Sequence, residues 1–454
     1  MPLSIIILAA GQGKRMQSAR AKVIHQLAGK SMLQHVVDTS QALDPDQIIV
    51  VVGHQSSQVR ESMKGQGLSF VEQAEQKGTG HAVQQCLKQL NEGNDVLVLY
   101  GDVPLISIAT IRNLLEAAKG SALNILSFLP ENSQGYGRII RAADGSVRAI
   151  VEEKEATAED KKIQESNTGI LLIEGSKLRQ LIGRLENKNV KKEYYITDLV
   201  KLAVQDGLKV SAILCADARE VNGVNDQYQL AEVESRFRQI QASRLLKQGV
   251  KLYDPARIDV RGDLQVGSDV EIDINCIFEG TVKLGNRVRI GANCVIRDTT
   301  IATDSVVLPM TSIDQAVIGS QVSIGPFARI RPGTECADGS KIGNFVETKK
   351  TTIGAGSKVN HLSYIGDTQI GREVNIGAGT ITCNYDGVNK HRTIIEDGVF
   401  IGSDTQLVAP VTIAEGSTIG AGSTITRDTP AQKLSLSRSR QITIDAWKRP
   451  GSNK

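Results

Sequence analysis

The chain has 454 residues, more than one hydrophobic core usually serves, so two or three domains are expected. A 40% hydrophobic fraction suits a soluble globular protein, and a net charge of only +3 gives no reason to expect nucleic acid or a membrane as a partner. The six cysteines, Cys86, Cys215, Cys276, Cys294, Cys336 and Cys383, form no C-x-x-C pair. That spacing argues against a zinc or redox motif and reads as reduced, mostly buried thiols in a reducing compartment.

The opening run Leu3–Leu8 is one strand long and leads into basic residues, so it is neither a signal peptide nor a membrane span, and a cytoplasmic location follows. Further β-rich apolar runs at Ile48–Val52 and Val96–Tyr100 alternate with helical patterns at Met32–Leu43 and His81–Leu90. That alternation predicts an α/β domain with a mostly parallel sheet, extending to residue 227. The first strand runs into Leu8-Ala9-Ala10-Gly11-Gln12-Gly13-Lys14-Arg15-Met16. A glycine-rich turn there lets backbone N–H groups approach phosphate, and Lys14, Arg15 and Lys22 suit a triphosphate and its pyrophosphate leaving group. The third glycine of a dinucleotide fingerprint is missing, which argues against NAD. A second glycine turn, Gly78-Thr79-Gly80, follows Gln73 and opens a helix. Asp102, in Tyr100-Gly101-Asp102-Val103-Pro104, closes a strand where open α/β sheets bind ligands, and its hard oxygens suit Mg²⁺ on phosphates.

At 228–249 the pattern changes. Leu230, Val233, Phe237 and Ile240 recur at helical spacing before Gly249, predicting one long amphipathic linker helix.

From 250 onward aliphatics fall six residues apart: Val266, Ile272, Phe278, Leu284, Ile290 and Ile296. The register slips and returns at Ile318, Ile324 and Ile330, then at Ile395, Ile401, Leu407, Ile413, Ile419 and Ile425. Period six fits neither a helix nor an alternating strand; it is the signature of a parallel β-helix with three hexapeptides per coil. Its narrow prism predicts few aromatics, and the aromatic fraction is 4%. Cys383–Thr393 is too polar to be a coil and should loop out, and the basic tail with Trp447 reads as a loosely ordered end of the 250–454 domain. Such a solenoid could be only a scaffold. Four features argue for a site: the cations Arg329, Arg331, Lys349 and Lys350; His361 with Tyr364; Asn384-Tyr385 in the insertion; and the polar stretch Gly402–Thr405.

The L-A-A-G-x-G-x-R-M turn, the distal lysine and Y-G-D-x-P resemble the sugar-1-phosphate nucleotidyltransferases, and the hexapeptide half resembles the hexapeptide-repeat acetyltransferases. Together they resemble the bacterial family of bifunctional N-acetylglucosamine-1-phosphate uridylyltransferases/glucosamine-1-phosphate acetyltransferases, with a left-handed β-helix behind a Rossmann-like domain. The resemblance implies acetyl transfer from acetyl-CoA to glucosamine 1-phosphate. It also implies uridylyl transfer from UTP to N-acetylglucosamine 1-phosphate, making UDP-N-acetylglucosamine for peptidoglycan and lipopolysaccharide. It implies nucleotide contacts at Leu8, Ala9, Ala10, Gly11, Lys22, Gln73, Gly78 and Thr79, with Arg15 neutralising charge. Sugar and phosphate contacts fall at Tyr100, Gly101, Gly137, Glu152 and Asn167, and Mg²⁺ on Asp102 and Asn225. In the second half it implies His361 as general base, Arg331 and Lys349 on the sugar phosphate, and Tyr364 and Asn375 on the sugar. Asn384 and Tyr385 would orient the acetyl group, while Ala378, Ser403, Ala421 and Arg438 contact CoA. The working unit implied is a homotrimer with shared acetyl sites. Lys14 and Ala21 depart from the family's usual threonine and proline, which bears on the shape of that loop. A single-function nucleotidyltransferase with a structural β-helix is the alternative, and the His361, Lys349 and Asn384-Tyr385 set speaks against it.

Overall fold

The computed structural model describes residues 2–450; Met1 and residues 451–454, which belong to the two expected domains, lie outside the described residues. The chain forms two compact units, Met1–Phe237 and Arg238–Lys454.

In the first unit the apolar run at the start forms the strand Leu3–Leu8, buried along its whole length. It pairs in parallel with Gln47–Val52 on one side and Asp95–Tyr100 on the other. Ser69–Glu72 extends the sheet beyond Gln47–Val52. On the far side Ser166–Glu174 runs antiparallel to both Asp95–Tyr100 and Leu123–Phe128, and Val210–Leu214 closes the edge in parallel. The sheet is thus mostly parallel, with one reversed strand and an antiparallel hairpin, Arg138–Arg141 with Val147–Val151, attached to it. Helices cover both faces, giving two apolar cores, as continuous runs without alternation require. Leu8 and Tyr100 are register partners, so the glycine turn and the Gly101-Asp102 pair leave the sheet side by side at its carboxyl edge.

The long helix spans Gln227–Lys247 and ends with Gly249 at φ 89°, whose N–H bonds to the Leu246 carbonyl. The two units divide within it, after Phe237. Its first part buries Val233 against Leu27, Met32, Leu105 and Val224; its last part buries Ala242 and Leu245 in the core of the second unit. Ile240, expected on the apolar face, is exposed, because the buried stripe shifts between the two parts.

The second unit is an all-parallel solenoid of short strands stacked on three faces, the parallel β-helix expected. One buried column runs Ile272, Ile290, Val307, Ile324, Ile342, Val359, Ile376, Ile401 and Ile419. Its spacing is 17 or 18 residues except from Ile376 to Ile401, where the insertion lengthens the step, and this explains the register slip in the sequence, since a coil that loses one residue at a corner keeps its strands aligned. Each such aliphatic contributes roughly 1.5–3 kcal/mol by burial. The interior is not wholly apolar: hydroxyls at the corners donate to carbonyls of the next coil, Ser305 to Gly319 at 2.7 Å and Ser357 to Gly371 at 2.6 Å. Nor does the prism exclude every aromatic, because Phe278 is fully buried in it.

One corner recurs on every coil. Asn293, Met310, Phe327, Phe345, Leu362 and Asp404 all have φ between 48° and 60°, a left-handed conformation that bulky residues rarely take. Backbone N–H groups link these turns: Phe345 to Phe327, Leu362 to Asn344, Gly379 to His361, Asp404 to Ala378 and Gly422 to Ser403. Met310, Phe327, Phe345 and Leu362 are 48% to 61% exposed along this edge, and the Phe327 and Phe345 rings stack 5.3 Å apart.

Candidate active sites

At the carboxyl edge of the first unit lies a cavity of about 560 Å³. All the expected nucleotide and sugar residues line it except Arg15, Gly101 and Asn225. Arg15 is exposed on the short turn Lys14–Met16, outside the cavity. Gly101 is buried behind it, its N–H donating to the Leu8 carbonyl. Asn225 is brought to the site by a backbone bond, Val224 N–H to the Asp102 carbonyl at 2.9 Å.

Lys22 does not stand free for a phosphate. Its Nζ forms an ion pair with Asp102 and lies 3.3 Å from Asn225 Oδ1, so a carboxylate and an amide oxygen converge on one cation. Gly13 is required beside it: its φ is 60°, and a Cβ there would stand 2.7 Å from the Lys22 Cβ. Gly78 is held similarly at φ 106°, packed against the Tyr194 backbone where the helix Thr79–Cys86 begins. Gln73 is buried and donates from Nε2 to the Gly78 carbonyl at 2.9 Å, with His81 Nδ1 at 3.1 Å. Thr197 donates to Glu152 at 3.0 Å, and burial pushes the Glu152 carboxyl up. Burial, then the charges of Asp102 and Glu152, push the Tyr100 phenol up, so it stays a neutral donor. Thr197, Tyr195, Lys154 and Lys191 also line the cavity and were not singled out in the sequence, where nothing marks them.

In the second unit His361 lies at the recurrent corner. Its Nδ1 is 2.8 Å from Asn344 Oδ1, one coil below, in register on neighbouring strands. An amide oxygen can only accept, so Nδ1 is the donor in this contact and Nε2 is the ring nitrogen that faces away from it. Ala378, Ser403 and Ala421 follow on the same edge in successive coils, and Arg438 donates back to the Ala421 carbonyl at 3.1 Å.

The cationic cluster differs from the one read in the sequence. Arg331 is tied to Glu347 at 2.7 Å, and Arg329 approaches the same carboxylate at 3.7 Å. The Lys390 ammonium, from the insertion, holds Lys349 below the usual lysine range, with Arg331 adding to it and the Asp367 carboxylate opposing it. Two facing ammonium groups call for an anion. Sequence reading missed Lys390 because its only signal was membership of the looped segment. That loop is anchored rather than free: Asn384 is buried and donates to Asp367 at 2.5 Å, while Tyr385 is exposed. Tyr364 and Asn375 lie on strands of the neighbouring coils. Burial pushes the Cys383 thiol up, away from the nucleophilic thiolate.

The MobA-like NTP transferase domain matches residues 5–167, the GMPPB C-terminal domain residues 260–339, and the bacterial transferase hexapeptide (six repeats) residues 392–427. A curated relative from Marinobacter nauticus, named bifunctional protein GlmU, is 53% identical over 449 residues, covering 99% of both chains. Relatives of the same name from Nitrosomonas eutropha and Cupriavidus taiwanensis are 52% and 54% identical, over 100% and 99% of both chains. The chain belongs to the bifunctional GlmU family. A member of that family is a uridylyltransferase and an N-acetyltransferase of UDP-N-acetylglucosamine synthesis, and each unit of this chain carries the domain type of one activity. Among the described residues no helix is long and apolar enough to cross a membrane.

Proposed function

We propose that the cavity of the first unit joins UTP to N-acetylglucosamine 1-phosphate, and that the recurrent edge of the second unit acetylates glucosamine 1-phosphate from acetyl-CoA. The uridylyl reading is carried by the Asp102–Lys22–Asn225 cluster. Its two oxygens suit a hard cation, and the Lys22 ammonium stands in for one there. Asp102 and Asn225 would hold Mg²⁺, which supplies charge neutralisation on the phosphates. Lys22 and Arg15 add positive charge, while Glu152, Asn167 and Gly137 seat the sugar. A sugar-phosphate oxygen bonds to the α-phosphorus of UTP as the bond to the β-phosphate oxygen breaks, and pyrophosphate leaves.

The acetyl reading is carried by the His361–Asn344 pair. The sugar amine attacks the thioester carbonyl, His361 Nε2 takes the amine proton, and that proton passes to the departing CoA sulfur. Lys349 and Lys390, with Arg331, supply the charge for the sugar phosphate. The edge through Ala378, Ser403, Ala421 and Arg438 supports an extended acyl donor, its phosphates near Arg438. The exposed ridge of Met310, Phe327, Phe345 and Leu362 and the exposed Tyr385 support a homotrimer in which neighbouring copies cover these groups. Free cysteines that burial holds as thiols support a reducing cytoplasm.

The test is one reaction with glucosamine 1-phosphate, acetyl-CoA, UTP and Mg²⁺, following free thiol and pyrophosphate separately. Both should appear, thiol first; pyrophosphate without thiol would leave only the nucleotidyltransferase.

A further inference from the structure

The turn Lys22–Ile24, which begins with Lys22, has no side-chain cap of its own. The segment leading into it is gripped from outside. Gln58 spans it, Nε2 donating to the Ala19 carbonyl at 3.2 Å and Oε1 accepting the Ala21 N–H at 3.0 Å. Gln55 donates to the same Ala19 carbonyl at 2.8 Å. Both belong to the start of the helix Ser56–Ser62, with Gln55 at its N-cap in a left-handed conformation, φ 60° and ψ 34°. Gln55 therefore holds an unfavoured backbone angle while its side chain points at the loop rather than capping the helix. Ala21 is buried and immediately precedes Lys22, so whatever fixes its backbone fixes the root of the lysine.

We propose that Gln55 and Gln58 are positioning residues for uridylyl transfer, a clamp on Ala19–Ala21 that fixes the backbone from which Lys22 reaches into the uridylyl site. The proposal rests on the reading of Lys22 as part of the uridylyl site. The two bonds to the Ala19 carbonyl are exposed and the one from the Ala21 N–H is part-buried, and each is individually weak, but a small displacement of a charged group at a phosphoryl-transfer site is felt strongly. Gln58→Ala lowers the uridylyl kcat by roughly three- to tenfold. The KM for the sugar phosphate stays unchanged, and acetyl transfer, catalysed in the other unit, stays normal.

The decisive measurement is a rescue. Ala21 lies at φ −58° and ψ 139°, a backbone that proline adopts without strain, and proline has no N–H for Gln58 to satisfy. Ala21→Pro placed in Gln58→Ala should recover at least half of the lost kcat, since the ring stiffens the segment that the amide held. A Gln58→Ala enzyme with normal uridylyl turnover, or a double variant no faster than Gln58→Ala, overturns the clamp. Lys22→Ala separates the two ideas. Uridylyl transfer that survives it overturns the role of Lys22 itself, whereas an inactive Lys22→Ala beside a normal Gln58→Ala overturns the clamp alone.

Discussion

Replacing Asp102 by alanine removes the carboxylate that pairs with Lys22, in a site where the Lys22 and Asp102 side chains are 12% and 18% exposed. Unit charges about 4 Å apart at an effective dielectric near 20 interact by about 4 kcal/mol. The same loss falls on any cation that the Asp102–Asn225 pair receives with the substrates. At about 1.4 kcal/mol per decade this corresponds to a fall of roughly a thousandfold in uridylyl transfer. Asp102→Asn keeps an oxygen donor without the charge and should fall between wild type and Asp102→Ala. The assay follows pyrophosphate and thiol in one vessel, with melting curves beside it. Thiol release persists in both variants, because the acetyl site lies on the other unit. Pyrophosphate release within tenfold of wild type in Asp102→Ala would refute the electrostatic account of this cluster.

His361→Ala should lower acetyl transfer by roughly 10²–10⁴-fold with uridylyl transfer intact; Asn344→Leu should lose part of that, and a normal Asn344→Leu would show that the tautomer needs no partner. The Asp198 carboxyl is raised to about 6, by burial first and by Glu155 next. The folded state thus binds the proton more tightly than the unfolded one, and stability falls as pH rises from about 4 to 6. Asp198→Asn should raise Tm more at pH 8 than at pH 4; an equal shift at both would contradict this. A fragment of residues 1–237 should be more stable than one of 1–227 by roughly 1.5–3 kcal/mol from Val233 alone, and equal denaturant midpoints would place the boundary earlier. His361→Ala mixed and reassembled with Arg438→Ala should regain some acetyl transfer if sites are shared between copies; no rescue after verified mixing counts against the shared site.

Much of this was legible in the chain because the signals are local. Leu3–Leu8 is one uninterrupted apolar run, and the six-residue spacing of aliphatics is visible without knowing where a coil turns. The glycine turn, Tyr100–Asp102 and His361 stood out for similar reasons. What stayed hidden depends on distance across the fold. Asn344 is an ordinary asparagine until a 17-residue coil sets it beneath His361. Lys390 gains meaning only when the insertion folds back to Lys349, and Glu347 only when it takes up Arg331. Phe278 was read in register yet contradicted the rule on aromatics, since one coil of the prism accommodates a ring. Ile240 misled because helical spacing says nothing of the residue at which a helix changes the core it serves.

The edge that carries His361 is graduated like a ruler. Successive marks, His361, Ala378, Ser403 and Ala421, stand one coil apart, and each coil adds the strand spacing of about 4.8 Å. The reach from His361 to the corner where Arg438 meets the Ala421 carbonyl is therefore counted in whole steps, roughly 14 Å for three. Residues looped out between coils, as at 383–393, leave those marks in place, because Thr393 and Ile401 resume pairing with Thr368 and Ile376. Excising one complete coil between His361 and Ala421 would instead shorten the scale by a single division while keeping every core aliphatic aligned. On the proposed reading, in which the acyl donor lies along this edge, a donor with a correspondingly shorter arm should then fit better than acetyl-CoA. Loops can vary the surface of such an edge, whereas the number of coils fixes its length.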